Sequence, residues 1–191
     1  MKHLHETYSG KEEELDFVGS EVLRPARYNG EYKSFAESLR SVEEHQPKGW
    51  NPEDPPIGTN NFLNDLHFLV QEGLQKRFGE NRSLRLWNAL GSHLDVLHGV
   101  DLIFTFHLSP QSEKSRHPFE ARATLDLTRN HHKEEVGGKA DIIVPLEFAS
   151  QYQEMSEQSK MDFINGIVVS VVSQIEDQID SAEAYRSRRA G

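Results

Sequence analysis

The chain has 191 residues, enough for one domain with a sizeable core, and its composition is 36% hydrophobic and 27% charged. It contains no cysteine, which excludes disulfides, thiolate nucleophiles and cysteine-ligated zinc or iron–sulfur sites. The formal net charge is −10, so a nucleic-acid partner would require a local basic strip on an otherwise acidic surface.

Neither the N-terminus nor any apolar stretch indicates export or a membrane span. Residues 1–17 lack the apolar run of about 7 to 15 residues that a secretory signal requires. The longest strongly apolar stretch, 167–172, is far below the roughly 20 residues that cross a bilayer. We therefore expect a cytoplasmic protein with no integral membrane segment.

The first segment, 1–56, is charged and weakly periodic, and it ends in the stretch QPKGWNPEDPPIG, which is rich in turn-forming residues. We interpret it as an N-terminal arm or irregular cap, and 57–191 as one α/β domain. An amphipathic helix is predicted over 59–78, with Thr59 as its N-cap. Asp65 projects away from the apolar face of this helix and is interpreted as a solvent-facing acid outside any site, as is Glu72.

Three predicted strands and a long helix follow. Segment 83–99 is ambiguous between a helix and a short strand with turns. Segments 99–108 and 119–128 are rich in strand-forming residues and predict a hairpin, and a third strand is predicted at 140–146. From about residue 156 the chain reads as a long amphipathic helix. This order predicts an α/β arrangement in which helices cover a small mixed sheet.

The apolar stripe of the C-terminal helix looks broader than one small sheet can cover. We therefore expect a homodimer formed through this helix. The stripe consists of Met161, Ile164, Val168, Val171, Val172, Ile175 and Ile179.

The predicted hairpin brings two acids together. Alternation places Asp101 on the polar face of the first strand and Asp126 on the polar face of the second. A symmetric hairpin with its loop at 109–118 sets these two residues opposite each other. The same register pairs His107 with Glu120, and Thr105 with Arg122.

Like charges directly opposed across a strand pair destabilise it, so something should offset the repulsion. A hard divalent cation, Mg²⁺ or Mn²⁺, would do so, because such ions prefer carboxylate, carbonyl and water oxygens. The alternative is a pair of solvated acids near a sheet edge, each held by its own arginine or lysine.

Three sequence runs together resemble the core of the PD-(D/E)XK nuclease superfamily: HGVDLIF, then ATLDLTRN with Lys133 close behind, then KADIIV. The likeness extends over about 59–146. It implies a restriction-endonuclease-like fold and a Mg²⁺-dependent phosphodiesterase that acts on DNA. It also implies that the metal is held by Asp101, Asp126 and the backbone carbonyl of Leu127.

The resemblance departs from the family pattern at Thr128, which stands where the motif lysine belongs. Lys133 is the first candidate to supply the missing positive charge, and Lys139 is the second. If neither reaches the site, the fold would serve as a non-catalytic binding or assembly module, as a homodimer. A metal-dependent hydrolase of small phosphorylated molecules is a third reading.

The ten histidines show no zinc-binding spacing such as HExxH, and scattered surface histidines are the better interpretation. His107 is the histidine expected near the polar face as a proton carrier. Basic residues around the hairpin could form a strip for a phosphate backbone, or merely a solvated hairpin tip. They are Lys114, Arg116, His117, Arg122, Arg129, His131, His132 and Lys133.

Overall fold

The computed structural model describes residues 28–56, 61–80, 82–108, 119–128 and 139–190. Helices lie on both faces of a four-stranded mixed sheet, which confirms the predicted mixed α/β arrangement. In chain order the elements are α1 (Phe35–Glu44), α2 (Phe62–Phe78), β1 (Leu84–Asn88), α3 (His93–His98), β2 (Leu102–Leu108), β3 (Phe119–Thr128), β4 (Ile142–Pro145), α4 (Leu146–Ser150), a short 3-10 helix (Tyr152–Glu154) and α5 (Glu157–Ala190).

The strands lie in the order β1-β2-β3-β4. The pairs β1–β2 and β2–β3 are antiparallel, and β3–β4 is parallel. The antiparallel pairing of β2 with β3 was predicted and is confirmed. The restriction-endonuclease-like identity of the fold is a finer statement and stays a prediction.

The sheet separates two apolar cores. On one face the side chains of Leu102, Phe104 and Phe106 are buried under α2 and α5, as predicted. The Phe106 ring lies 5.7 Å from that of Phe78 at the end of α2. On the other face, α1 and α3 cover Ile103. The face predicted to be polar is therefore partly covered, and its middle is apolar.

Helix α2 begins at Phe62, while Thr59, its predicted N-cap, lies outside the described residues. Its contact with α5 depends on Gly73, because a Cβ there would come 3.0 Å from Val172 Cγ2. Further along the same contact, the Arg77 guanidinium donates two 2.8 Å hydrogen bonds to the Asp180 carboxylate. The two helices are thus held by a close apolar contact and by an ion pair in which Arg77 Nη2 contacts both oxygens of Asp180.

Helix α1 lies inside the segment interpreted as an arm or irregular cap. Its N-terminus forms a capping box: the Glu37 N–H donates to Ser34 Oγ, and the Ser34 N–H donates to Glu37 Oε2 at 2.9 Å. Leu39 and Val42 then pack into the second core. Residues 1–27 lie outside the described part of the chain.

The ambiguous segment resolves into strand β1 and the short helix α3. Gly99 ends α3 in the left-handed conformation, with φ 62° and ψ 42°. This cap explains why β2 begins at Leu102, three residues later than the sequence pattern indicates. The turn from α3 into β2 consequently lies beside the start of the strand.

The apolar stripe of α5 is mostly used inside the chain. Ile164, Val171, Ile175 and Ile179 are buried against the sheet and α2, while Met161 is 45% exposed. The expected surplus of apolar surface is therefore smaller than the sequence suggested, and the homodimer stays a prediction. Among the described residues, no helix has the length and apolar character needed to cross a membrane.

Candidate metal centre

The register of the β2–β3 hairpin positions the two acids. Leu102 pairs with Leu125, and the predicted pairs further along the strands, His107 with Glu120 and Thr105 with Arg122, are confirmed. One residue beyond the ladder, the Asp101 N–H donates to the Leu125 carbonyl at 2.8 Å. Continuing the register places Asp101 opposite Asp126.

Both acids are buried, with Asp101 4% and Asp126 2% exposed. The Leu127 N–H donates to Asp101 Oδ2 at 2.6 Å, so the Asp101 carboxylate reaches across to the backbone of β3. Burying a carboxylate is costly unless hydrogen bonds or a positive charge compensate it. This burial disagrees with the alternative of two solvated acids at a sheet edge.

The C-terminal end of α3 lies next to the pair. The Cβ that a side chain would add at Gly99 lies 3.6 Å from Asp126 Oδ2. Two residues earlier, the Leu97 carbonyl accepts a 2.6 Å hydrogen bond from Lys139 Nζ. The second candidate lysine is thus anchored on the element that adjoins Asp126.

Of the remaining predicted site residues, Lys133, Leu127 and Thr128, the structure describes the last two. Lys133, the first candidate for the positive charge, lies outside the described residues. Leu127 uses its N–H for Asp101, and its side chain is buried in the core on the opposite face. Thr128, in the position of the motif lysine, is the last residue of β3 and is 8% exposed.

The candidate ligands are oxygen atoms, the type that Mg²⁺ prefers, but the protein supplies only part of the number that its coordination shell needs. Within the described ranges no group of three or more histidine, aspartate or glutamate side chains could hold a metal ion. Mg²⁺ is commonly bound through one or two carboxylates and keeps several waters. Asp101 and Asp126 supply two such carboxylates, with Leu127 as the backbone carbonyl expected beside them.

Asp141, at the start of β4, holds the strands that carry the pair, and the sequence reasoning missed it. Its Oδ2 accepts hydrogen bonds from the N–H of Thr124 at 2.8 Å and from its hydroxyl at 2.7 Å. Its Oδ1 accepts one from Gln174 of α5. Asp141 therefore joins β4, β3 and α5, and the KADIIV run was the only sequence signal for it.

His107 does not belong to the acidic pair. It lies at the other end of β2, six residues from Asp101, which corresponds to about 20 Å of strand. Its Nε2 is 3.3 Å from Glu120 Oε2, and Arg122 bridges Glu120 and Glu43. Burial lowers the pKa of His107, and burial also raises the pKa of Glu43. His107 therefore lies on the expected face of β2, but too far from the acidic pair to transfer a proton there; its role as a proton carrier stays a prediction.

Asp65 is half-buried and has a hydrogen-bond partner, so it is less solvent-facing than expected. The Tyr152 hydroxyl donates a 3.0 Å hydrogen bond to Asp65 Oδ2 across the groove between α2 and the 3-10 helix. Burial, followed by this hydrogen bond, raises the pKa of Tyr152. Glu72 is a solvent-facing acid as expected, because its exposed side chain forms an ion pair with Lys76 on the surface of α2.

Two histidines of α3 have structural contacts. His93 Nε2 lies 2.9 Å from Asn29 Oδ1, and His98 Nε2 donates to the Lys33 carbonyl at 3.1 Å. Both residues bind the segment that precedes α1.

Comparisons of the chain with protein-family models, with curated proteins and with solved structures find no match.

Proposed function

We propose that the protein is a Mg²⁺-dependent phosphodiesterase of the PD-(D/E)XK type that acts on DNA. The observation that supports this most is the register that sets two buried carboxylates, Asp101 and Asp126, opposite each other on a β-hairpin. Burying both carboxylates removes their charges from water, which is costly unless each charge is compensated. A divalent cation bound between the two carboxylates would add to that compensation.

Each residue of the site would have a distinct role in the reaction. Asp101 and Asp126 hold the cation, which when bound lowers the pKa of a water and offsets charge on the phosphoryl group. The Leu127 N–H donates to Asp101 Oδ2 and so fixes the orientation of the carboxylate. Lys139, or Lys133, which follows β3 in the sequence, supplies the positive charge that orients the attacking water.

Cleavage of plasmid DNA tests this proposal. We expect the wild type to convert supercoiled DNA to nicked or linear forms with Mg²⁺ or Mn²⁺ and not with EDTA. Asp101→Asn and Asp126→Asn should both abolish cleavage while the variants remain folded by circular dichroism. Asp162→Asn, on the exposed surface of α5, is the matched control and should retain full activity.

The two lysines can be separated in the same assay. Lys139→Ala and Lys133→Ala each remove one candidate cation, and the variant that loses activity identifies the group that serves the site. Absence of cleavage by the wild type on single-stranded and double-stranded DNA would contradict the phosphodiesterase proposal.

The alternative is a non-catalytic binding or assembly module, favoured by Thr128, a buried threonine where the family has its lysine. Under this alternative the chain forms a homodimer through α5. Because most of the stripe is buried, such a dimer would use exposed residues such as Met161 and Val169. Light scattering that gives a monomer at every accessible concentration would contradict the dimer.

A further inference from the structure

A groove lies between the first half of α2, the 3-10 helix and the first turns of α5. Its cavity volume is about 380 Å³. Two of the side chains that line it are large, apolar and exposed, Phe68 at 65% and Met161 at 45%. Exposed hydrophobic residues that stand alone are ordinary, but two that line one cavity form a surface that a partner can cover.

The polar lining of this groove is acidic. Asp65 accepts its 3.0 Å hydrogen bond from the Tyr152 hydroxyl, a neutral donor that leaves the negative charge of the carboxylate in place. Glu157 is 88% exposed and forms an ion pair with Lys160 at 2.9 Å. The lining therefore carries two carboxylates and one ammonium group. A partner with a positive charge next to an apolar or aromatic side chain would complement it.

The other end of α5 carries this combination of groups. Among the described side chains of α5, Ile179 is the last that is buried, and the helix continues to Ala190, about 16 Å further along its axis. Tyr185 is 61% exposed, and the exposed Arg188 follows three residues later on the same face. From Arg186 onward every charged side chain in the sequence is an arginine. This end of α5 therefore presents an aromatic ring and a guanidinium group together.

A contact of Arg186 within the chain sets the orientation of this end of α5. Its guanidinium carbon lies 5.9 Å from the centre of the Phe119 ring, at the start of β3. Consecutive residues of an α-helix are about 100° apart around its axis, so Arg188 lies about 200° round from Arg186. Arg188 therefore faces away from β3, on the side where a second molecule can reach it.

We propose that two copies of this chain form a dimer in which the Tyr185–Arg188 end of each α5 occupies the groove of the other copy. The groove lies at the first turns of α5 and the basic end at its last turns. Two α5 helices that run antiparallel therefore bring each basic end to the opposite groove. The same two surfaces make both contacts, as a two-fold dimer requires. This contact goes beyond the phosphodiesterase proposal and does not depend on the acidic pair.

Sedimentation velocity on the full chain, without DNA or metal, measures the dissociation constant of the dimer. Met161→Lys places a positive charge in the groove, and Arg188→Glu reverses the charge at the helix end. Each should weaken the dimer about tenfold or more, because opposite charges are replaced by like charges, while circular dichroism stays unchanged. Lys48→Glu is the matched control, since it reverses the charge of an exposed lysine in the turn after α1. It should keep the wild-type dissociation constant.

A mixture of the two variants distinguishes this contact from any other dimer. In a mixed dimer of Met161→Lys and Arg188→Glu, one groove and the helix end that occupies it are both wild type. The second contact joins the two substituted positions, whose new charges are opposite. The mixture should therefore dimerise more tightly than either variant alone.

Three results would overturn the proposed contact. The first is a wild type that stays monomeric at every accessible concentration. The second is a dimer that either Met161→Lys or Arg188→Glu retains at wild-type affinity, and the third is a mixture that binds no more tightly than the separate variants. Cleavage of DNA by the wild type is a separate measurement, so these results leave the phosphodiesterase proposal to its own test.

Discussion

At the scale of single residues, the energetics of Asp101 and Asp126 depend on what balances two buried negative charges. Their juxtaposition could be predicted, because strand alternation and a symmetric loop fix a hairpin register. Their surroundings could not be predicted, because Gly99 lies beside Asp126 through a tertiary contact that leaves no local pattern in the sequence. The burial of both acids was missed for the same reason, since α1 and α3 cover a face that looks polar in sequence.

The acidic pair should couple metal binding to stability. A ligand that binds only the native state raises the free energy of unfolding by mass action, so Mg²⁺ should raise the melting temperature of the wild type. Asp126→Asn removes one of two opposed charges and weakens coordination. It should match the wild type without metal and gain much less from added Mg²⁺.

Differential scanning fluorimetry over a Mg²⁺ titration measures this effect. Asp162→Asn removes a carboxylate from the surface of α5 and should gain as much from Mg²⁺ as the wild type. Equal gains in the wild type and Asp126→Asn would place the stabilising ions elsewhere.

His67 should make stability depend on pH. It is 5% exposed, donates from Nε2 to the Leu84 carbonyl at 3.3 Å and stacks on Phe104. Burial lowers its pKa, and the hydrogen bond opposes this less strongly. The unfolded chain then binds the proton more tightly, so stability is complete above about pH 6.5 and falls as the pH drops toward the lowered folded pKa.

Urea denaturation between pH 5 and pH 7.5 tests this assignment. His67→Gln keeps a donor for the Leu84 carbonyl but cannot be protonated, so the slope of stability against pH should flatten. If the slope in His67→Gln were identical to that of the wild type, His67 would be excluded as a source of the pH dependence of stability. His107, whose pKa is also lowered by burial, is the second histidine to substitute.

At the scale of elements, α2 and α5 cross so closely at Gly73 that a side chain at this position has little room. In Gly73→Ala the new Cβ would lie 3.0 Å from Val172 Cγ2, and a β-branched residue in a helix has little rotamer freedom to move away. Overpacking of this kind costs about 1 to 3 kcal/mol, which exceeds the gain of about 1 kcal/mol from helix propensity. We expect net destabilisation.

Gly166→Ala is the matched control for this substitution. Gly166 lies in α5 with nothing within 4 Å of an added Cβ, so only the propensity gain of about 1 kcal/mol remains. Chemical denaturation should show changes of opposite sign in the two variants. A stabilised Gly73→Ala would mean that the two helices separate freely.

The elements differ in how well sequence predicts them. Helix α2, the hairpin and α5 follow from long, regular periodicity, and their boundaries fall within about three residues of the prediction. Helix α1 was missed although Ser34 and Glu37 have the capping-box spacing, because the surrounding charges obscured its short apolar face. The segment that gives β1 and α3 stayed ambiguous because each element spans fewer than seven residues.

At the scale of the whole molecule, the net charge of −10 opposes the approach of DNA. The acidic field extends about 30 Å at 0.01 M salt and about 10 Å at 0.1 M. A basic nuclease loses affinity steadily as salt rises, because its phosphate contacts release counterions.

For this chain, rising salt first screens the long-range repulsion between the acidic surface and DNA. Association with DNA should therefore speed up between about 0.01 and 0.1 M KCl and slow only above that range. Stopped-flow anisotropy with Asp126→Asn, which binds without cleaving under the proposed function, measures the rate. A rate that falls throughout would mean that a local basic strip, and not the net charge, governs the encounter.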